Sequence, residues 1–298
     1  MRIALVGLGD IARKAYLPVL SATAGVELVL ISRNAAARDE IGEKYRIGER
    51  YPDLGSAPLD TLDAAFVHAA TSAHPALVEA LLRADVPTYV DKPLAADLAT
   101  CEALVALAEE RRCSLMVGFN RRFAPAYAAL LDAPRDLIVM EKNRANLPGE
   151  PRTVVFDDFI HVVDTLRALA PGPVLEAVPH RKMVGALLHH VALTLRGDGF
   201  LATGIMNRMS GAGEEWLEAM GGGSKIRVEE LTDVTQFDGG RRAIPRDNWK
   251  PVTWTRGFEQ ICAAFLHSVR KGEVLSARDA LATHQLCETI VQSVEGTA

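Results

Sequence analysis

The chain has 298 residues, more than one compact core usually holds, which favours two domains. Hydrophobic residues make up 49% and charged residues 24%, as in an ordinary globular protein. The formal net charge is −5, from 33 basic and 38 acidic residues. Nucleic acid and anionic membranes are therefore not expected as partners, because both require a concentrated basic surface.

The cysteines and the N-terminus indicate the compartment. Cysteines occur at 101, 113, 262 and 287, without the C-x-x-C spacing of zinc sites, so no bound metal is predicted. Two of the four lie in helix-like, alanine-rich segments, which is typical of buried thiols in a reducing compartment. The apolar run 2–6 stops at Gly7, which indicates a strand rather than a signal peptide, and no apolar run has transmembrane length. We expect a cytoplasmic protein.

Short apolar runs alternate with helical patterns through the first 120 residues. The patterns predict strands at 2–6, 26–32, 63–71, 87–93 and 114–120, and helices at 11–22, 74–84 and 97–112. Strands that alternate with helices predict a parallel α/β sheet with right-handed crossovers. We therefore predict an N-terminal Rossmann-type domain over residues 1–122.

From about residue 123 the pattern changes to hairpins. Strands are predicted at 136–144, within 183–209 around a turn at 196–199, and within 214–231 around a turn at 221–224, with helices at 156–164 and 258–294. Residues 123–298 are expected to form an α+β domain with a mostly antiparallel open sheet. Apolar residues on both faces of segment 183–195 predict packing against a second subunit, giving a homodimer or higher homo-oligomer.

Residues 7–12, GLGDIA, fit the G-x-G-x-x-A pattern at a strand-to-helix turn. Gly7 allows the tight turn, Gly9 lets the backbone approach a pyrophosphate, and Ala12 lets the helix pack closely on the strand. The helix start at Asp10 and Ile11 then faces the anion. A plain α/β turn is the alternative, but the strand before and the helix after favour a dinucleotide site.

The end of the second strand predicts which dinucleotide binds. Enzymes specific for NAD place a carboxylate there for the ribose 2′-hydroxyl, whereas this chain has Ser32, Arg33 and Asn34, with Arg38 one turn later. A carboxylate would repel a 2′-phosphate, and serine with arginine can bind one. We predict NADP(H) in preference to NAD(H). The alternative is that both arginines are solvated surface residues.

Polar residues also follow later strands of the first domain, at the strand ends where open α/β sheets bind ligands. They form three groups: Thr71, Ser72 and His74; Asp91 and Lys92; Asn120, Arg121 and Arg122. The first two groups are expected to contact the cofactor, although a packing role at a helix start suits His74 equally well. The third group is expected to hold a hydroxyl or anionic part of a substrate.

The segment FDDFIHVVD, residues 156–164, places Asp157, His161 and Asp164 at i, i+4 and i+7, on one helix face. That face suits a catalytic site, a metal site or the polar side of a surface helix. The D-x-x-x-H pair supplies only two metal ligands, which disfavours a metal site. Asp157 or Asp158 could instead cap the helix, and His161 could be an interior histidine.

Four motifs together resemble the glucose–fructose oxidoreductase, inositol dehydrogenase and rhizopine-catabolism (Gfo/Idh/MocA) family. They are GLGDIA, the strand-end DKPLA at 91–95, GFNRRFAP at 118–125 and the D-x-x-x-H-x-x-D segment. The resemblance spans essentially the whole chain and is strongest to the virulence-factor-like (MviM) branch. It implies an oxidoreductase that transfers a hydride between a nicotinamide cofactor and a sugar, cyclitol or related small carbonyl or alcohol compound.

The resemblance also implies roles for individual residues. Lys92 corresponds to the lysine of the family's E-K-P motif, and Asp157 and His161 correspond to its D-x-x-x-H pair. In the family, that lysine and histidine meet over the nicotinamide. His161 would exchange a proton with the substrate heteroatom, Lys92 would stabilise negative charge on oxygen, and Asp157 would orient the imidazole. Asp164 would bind substrate or only cap or solvate the helix.

The chain departs from the family pattern in three ways. Asp91 replaces the common glutamate, the glycine pair that often precedes D-x-x-x-H is absent, and the chain is short. These departures leave the substrate open, including reduction of an imine instead of a carbonyl. A non-catalytic dinucleotide-binding sensor or scaffold is a further alternative, but retention of both Lys92 and His161 favours catalysis.

Overall fold

The computed structural model describes residues 1–295. The strands are β1 (Arg2–Val6), β2 (Glu27–Ile31), β3 (Arg50–Tyr51), β4 (Ala64–Val67), β5 (Thr88–Asp91), β6 (Leu115–Gly118), β7 (Leu137–Asn143), β8 (Glu176–Val184), β9 (Leu187–Gly197), β10 (Phe200–Asn207), β11 (Glu214–Gly221), β12 (Ser224–Glu229), β13 (Asp233–Phe237) and β14 (Arg241–Ile244). The α-helices are α1 (Leu17–Ala22), α2 (Ala35–Tyr45), α3 (His74–Arg83), α4 (Leu98–Arg111), α5 (Pro125–Ala128), α6 (Pro151–Val154), α7 (Ile160–Leu169), α8 (Val252–Thr255), α9 (Phe258–Lys271) and α10 (Arg278–Glu295). Two π-helical segments, Ala12–Tyr16 and Val155–Phe159, lead directly into α1 and α7.

The chain divides into two compact units. The first contains Met1–Gly118 and Phe258–Ala282, and the second contains Phe119–Gly257 and the described residues from Thr283 onward. The sequence analysis predicts a domain boundary between residues 122 and 123, with all of 123–298 in the second domain, whereas Phe258–Ala282 lies in the first unit. Residues 296–298 lie outside the described residues.

The segment 258–282 belongs to the first unit because of the apolar face of α9. Ile261 and Phe265 on that face are fully buried, and the Phe265 ring packs edge-on against Phe66 of β4 at 5.2 Å. The sequence shows that α9 has an apolar stripe, but the stripe alone does not identify the sheet that it covers.

The first unit contains a six-stranded sheet in the order β3-β2-β1-β4-β5-β6. All of its strand pairs are parallel, which confirms the predicted Rossmann-type sheet. The strand order reverses between β1 and β4, and open α/β sheets bind ligands at such a switch point. The side chains of β4 are fully buried, as expected for a strand covered on both faces.

The second unit contains an eight-stranded sheet in the order β14-β13-β12-β11-β7-β10-β9-β8. Only the β7–β10 pair is parallel and the other pairs are antiparallel, which confirms the predicted class of this domain. Helix α7 lies on one face of the sheet. A Cβ added at Gly204 of β10 would lie 2.3 Å from Val162 of α7, so this glycine lets the helix approach closely.

Three strands of the second sheet are not predicted by the sequence: β8, β13 and β14. Each lies at or near a sheet edge, and β14 is exposed along its whole length. Edge strands lack the buried apolar alternation on which a sequence prediction depends. The predicted long strand from 183 is in fact the end of β8, a turn at Gly185 and then β9. Within residues 1–295, no helix is both long and apolar enough to cross a membrane.

Candidate functional site

A cavity of about 520 Å³ lies at the carboxyl ends of β1, β2 and β4 in the first unit. Its wall includes five residues of the predicted cofactor site: Gly7, Gly9, Ser32, Arg33 and Asn34. The structure therefore brings together the glycine-rich turn and the end of the second strand, as a dinucleotide site requires. The other predicted cofactor residues lie outside this cavity wall: Asp10, Ile11, Ala12, Arg38, Thr71, Ser72, His74, Asp91 and Lys92.

The glycine-rich turn leaves the space that a pyrophosphate needs. Gly7 has φ +91°, and a Cβ there would lie 2.5 Å from the backbone nitrogen of Ala69. Both the backbone conformation and the lack of space therefore exclude a side chain at this position. A Cβ added at Gly9 would meet no atom within 4 Å, so its missing side chain faces open space. Ala12 is fully buried at the start of the helix. This geometry fits a dinucleotide phosphate at the helix start.

The turn after β2 is fixed by two of its own side chains. The Asn34 side-chain oxygen accepts a hydrogen bond from the Ala37 backbone N–H at 3.1 Å and caps α2. The Arg38 guanidinium donates to the backbone carbonyl of Ser32. These contacts give Asn34 and Arg38 structural roles and leave Arg33 exposed on the cavity wall.

The sequence prediction missed Asp53, which lies on the same cavity wall as Arg33. Its Oδ1 accepts from the Ser56 backbone N–H at 2.9 Å, and the side chain is exposed. Asp53 follows β3, a strand of two residues that leaves too short an apolar pattern to locate a strand end. A carboxylate on a second loop therefore lies on the same cavity wall as the predicted 2′-phosphate site.

Two buried histidines stand at the end of β4. His74 places Nδ1 2.8 Å from the Pro93 carbonyl oxygen and Nε2 3.0 Å from the Ala69 carbonyl oxygen, so it ties the loops after β4 and β5 together. His68, which the prediction missed, lines the cavity and stacks on Tyr16 with ring centroids 3.8 Å apart. Neither ring nitrogen of His68 has a hydrogen-bond partner among the described residues. Burial, and then the charge of His74, lower the pKa of His68 well below its ordinary value.

Asp91 and Lys92 stand at the end of β5, next to a buried tyrosine pair. The hydroxyl oxygens of Tyr16 and Tyr89 lie 2.8 Å apart, and both side chains are fully buried. Burial raises the pKa of Asp91, and the positive charge of Lys92 opposes that rise. The lysine thus directly follows the carboxyl end of β5, a buried strand. Thr71 and Ser72 form a single 3₁₀ turn that leads into α3.

In the second unit, the D-x-x-x-H segment runs through a π-helical turn into α7. The helical stretch begins at Pro151, where the Glu150 carboxylate accepts from the backbone N–H groups of Arg152 (2.9 Å) and Thr153 (2.7 Å). Glu150 is therefore the cap, and neither Asp157 nor Asp158 has that role. π-Helical turns are rare and are frequently found at functional sites.

The three polar residues of this segment differ in exposure. Asp157 is exposed and His161 is half-buried, whereas Asp164 is 1% exposed. Asp164 accepts from Arg122 Nε at 2.8 Å and Nη2 at 2.6 Å, and from the Thr283 hydroxyl at 3.0 Å. Burial raises the pKa of Asp164, and the charge of Arg122 opposes the rise. Asp157 and His161 thus retain solvent-accessible surface, and Asp164 holds an internal ion pair.

The other residues predicted to bind substrate also have partners within the second unit. The Asn120 side chain donates to the Arg256 carbonyl at 2.8 Å. Arg121 is buried and donates through Nε (2.8 Å) and Nη2 (2.7 Å) to Glu215. These contacts differ from the substrate contacts that we predicted. Among the described residues no group of three His, Cys, Asp or Glu side chains is arranged to hold a metal ion.

Comparison with known families matches both parts of the chain. Residues 1–119 match the oxidoreductase family with an NAD-binding Rossmann fold, GFO_IDH_MocA. Residues 125–238 match the YceM-like C-terminal domain.

Individual proteins match along nearly the whole length. The YceM protein of Salmonella typhimurium is 37% identical over 92% of this chain and 91% of its own. The inositol 2-dehydrogenase of Rhizobium meliloti is 24% identical over 99% of this chain and 97% of its own.

Two solved structures have the same fold throughout. A Gfo/Idh/MocA family oxidoreductase from Vibrio cholerae superposes with a TM-score of 0.93 at 33% identity, covering 99% of this chain and 98% of its own. The dehydrogenase MviM from Clostridium difficile gives 0.92 at 30% identity, covering 98% and 99%. The chain therefore belongs to the Gfo/Idh/MocA family, in its MviM-like branch, and is a nicotinamide-dependent oxidoreductase.

Proposed function

We propose that this protein is an NADP(H)-dependent oxidoreductase that acts on a sugar, cyclitol or related small carbonyl or alcohol compound. The observation that carries the cofactor preference is the exposed guanidinium of Arg33 on the wall of the dinucleotide cavity, at the strand end where NAD enzymes place a carboxylate. The substrate class is supported by the similarity to an inositol 2-dehydrogenase.

Charge and geometry at the turn after β2 support NADP(H). Ser32 and Arg33 together offer a hydroxyl and a planar guanidinium, the groups that bind a phosphate through charge-assisted hydrogen bonds. The capping of α2 by Asn34 holds this turn in one conformation. Asp53 on the same wall opposes a 2′-phosphate, so we expect a moderate rather than an absolute preference.

Fluorescence titration of NADPH and NADH tests the cofactor proposal. In wild type we expect NADPH to bind at least tenfold more tightly than NADH, and in Arg33→Asp we expect that ratio to fall to one or below. Arg46→Asp is the matched control, because Arg46 is exposed at the opposite, C-terminal end of α2 and lies outside the cavity wall. Tighter binding of NADH by wild type would contradict the preference.

For the chemical step, we propose one role for His161 and one role for Lys92. The cofactor supplies or accepts the hydride when it is bound. The imidazole of His161 exchanges the proton of the substrate hydroxyl, a task that suits the ordinary pKa range of histidine. The ammonium of Lys92 stabilises negative charge on the substrate oxygen. Asp157, exposed one turn before His161, orients the imidazole.

Substitutions at these residues test the chemical roles. His161→Asn and Lys92→Met are each expected to lower kcat/KM by at least a hundredfold for whichever polyol or carbonyl compound the wild type turns over. NADPH affinity should remain within threefold in His161→Asn. Asp157→Asn should lower kcat by a smaller factor, because it acts through the histidine. Unchanged turnover in His161→Asn would contradict the assignment.

We also propose that the sheet of the second unit packs against a second copy of the chain. Its face opposite α7 carries half-buried or exposed apolar side chains on three adjacent strands: Leu137, Val139, Leu201, Ile205, Trp216 and Met220. Neighbouring apolar side chains of this kind favour burial in an interface. Light scattering should show a dimer or larger assembly for wild type and a smaller one for Ile205→Lys. Leu147→Lys, an exposed position outside the strands, is the control. A monomeric wild type would contradict the proposal.

We also propose that the protein is cytoplasmic. It is supported by the four cysteines, all of which are buried and none of which forms a disulfide. Buried free thiols are typical of proteins in a reducing compartment.

A further inference from the structure

We propose that the second unit contains a binding subsite for an anionic group, a carboxylate or a phosphate, formed by Lys142, Arg144 and Arg208 around Asp158. The inference rests on the proposed function in one respect, because we assign the anion to the substrate of that reaction. The substrate would then be an acidic sugar or cyclitol derivative.

The subsite is built around the carboxylate of Asp158, on the π-helical turn before α7. Arg144 donates to it through Nε at 2.7 Å and Nη2 at 2.8 Å. Arg208 donates through Nη1 at 2.9 Å, and Lys142 Nζ lies 3.2 Å away. One carboxylate thus contacts three cationic side chains, which come from the ends of β7 and β10.

A second carboxylate, Glu215 of β11, faces the same group of side chains. It pairs with Arg121 at 2.7 Å and lies 3.6 Å from Lys142, its cross-strand neighbour on β7. The positive charge of Arg256 also acts on Glu215. The cations near the two carboxylates are therefore Arg121, Lys142, Arg144, Arg208 and Arg256.

The ion pairs leave this region with more positive than negative charge. Five cations stand near three carboxylates, those of Asp158, Glu215 and Glu230. The third carboxylate is that of Glu230, which accepts from the backbone N–H of Glu215 and so lies beside the cluster. A cluster that served only to attach the helix to the sheet would need no such excess, because one cation for each carboxylate satisfies all three.

Part of this positive charge is poorly solvated, which makes an anion favourable there. Lys142 and Arg208 are less than 10% exposed. Burial, and then the charge of Arg121, lower the pKa of Lys142. Burial alone would raise the pKa of Asp158, but hydrogen bonds from Arg144 and the charge of Lys142 outweigh it and hold that pKa far below its ordinary value. A ligand carboxylate or phosphate would offset positive charge that water does not reach.

The exposure of Arg144 gives a ligand access to the cluster. Its side chain is 38% exposed, whereas Lys142 is 5% exposed. A guanidinium matches carboxylate and phosphate oxygens in a two-point geometry. Asp158 directly follows Asp157 on the π-helical turn, within one turn of His161. The anionic group would therefore lie near the reacting carbon of the substrate.

Thermal unfolding of the NADPH-saturated protein tests this inference without a known substrate. NADPH is added first so that its phosphates occupy the proposed dinucleotide site of the first unit, which could otherwise bind the anionic probes. The probes are inorganic phosphate and malonate, each compared with chloride at equal ionic strength. Tryptophan fluorescence reports the second unit, since all three tryptophans, 216, 249 and 254, lie in it.

Wild type should show a saturable rise in Tm with phosphate or malonate, and the stronger probe identifies the anion class. Arg144→Gln should weaken the apparent affinity at least tenfold. Arg196→Gln should not, since Arg196 is an exposed arginine of the same sheet that pairs with Glu176. No anion-specific rise in wild type, or an equal rise in Arg144→Gln, would overturn the inference. Failure of NADPH to bind would instead overturn the proposed function, and the anion titration would then be made without cofactor in Arg33→Asp.

Discussion

The buried carboxylate of Glu215 makes a large and calculable contribution to stability. Burial alone would raise its pKa, but the charge and hydrogen bonds of Arg121, followed by the charge of Lys142, lower it from 4.5 to about 2. At roughly 1.4 kcal/mol for each pKa unit, this difference corresponds to about 3 kcal/mol of stabilisation in the ionised form. Replacement by glutamine also leaves the buried guanidinium of Arg121 without its salt-bridge partner, which costs about 3–5 kcal/mol in comparable cases.

We therefore expect Glu215→Gln to lower the free energy of unfolding of the second unit by at least about 3 kcal/mol at pH 7. The stabilisation is present above the unfolded pKa of about 4.5 and is lost as the pH falls towards the folded value of about 2. At pH 3.5 the difference between wild type and variant should therefore be smaller by roughly 1 kcal/mol.

Urea unfolding followed by tryptophan fluorescence measures this effect, because all three tryptophans lie in the second unit. Glu229→Gln is the matched control. Glu229 pairs with Arg227 at 3.2 Å, but its side chain is 50% exposed, so its loss should cost less than about 1 kcal/mol. The reasoning is refuted if Glu215→Gln costs no more than the control, or if its cost is the same at pH 3.5 and pH 7.

Three further predictions concern the first unit. His68→Phe should keep the ring stacking on Tyr16. It should also reduce the loss of stability as the pH falls from 6.5 to 5, because in wild type the folded state opposes protonation of His68; thermal melts across that pH range measure this loss. Gly9→Ala should leave Tm within about 2 °C of wild type, since a Cβ there meets open space, but should weaken NADPH binding at least tenfold in a fluorescence titration. Gly7→Ala should weaken NADPH binding and also lower Tm. Tyr89→Phe should cost about 1–2 kcal/mol in urea unfolding, because it removes the buried hydroxyl contact to Tyr16; a neutral effect would show that this contact adds nothing.

The parts of the fold that follow from local pattern could be predicted from the sequence. Buried parallel strands are short, uniformly apolar and separated by helices, so the order of strands and helices in the first unit can be predicted. The hairpin turn at 221–224 is equally readable from its glycines, and the structure places β11 and β12 on either side of it. The placement of α9 could not be predicted, because it depends on which of two apolar surfaces a helix covers.

The candidate site also combines features that local sequence predicts with features that depend on distant residues. The glycine turn at 7–9 and the exposed Arg33 follow from residue type and position. The partners of Arg121 and Arg122 do not, because Glu215 and Asp164 are far away in the sequence. A single sequence identifies charged residues near a strand end but does not show whether each one faces a ligand or an internal carboxylate.

Transfer of deuterium from the nicotinamide is the most direct test of the central claim. NADPH labelled with deuterium at the transferable position would be incubated with the protein and an extract of small metabolites, and the products would be analysed by mass spectrometry. The account predicts that wild type places deuterium on the carbon of a small polyhydroxylated compound, and that His161→Asn binds the labelled cofactor but transfers none. Binding of the cofactor without transfer to any product in wild type would contradict it.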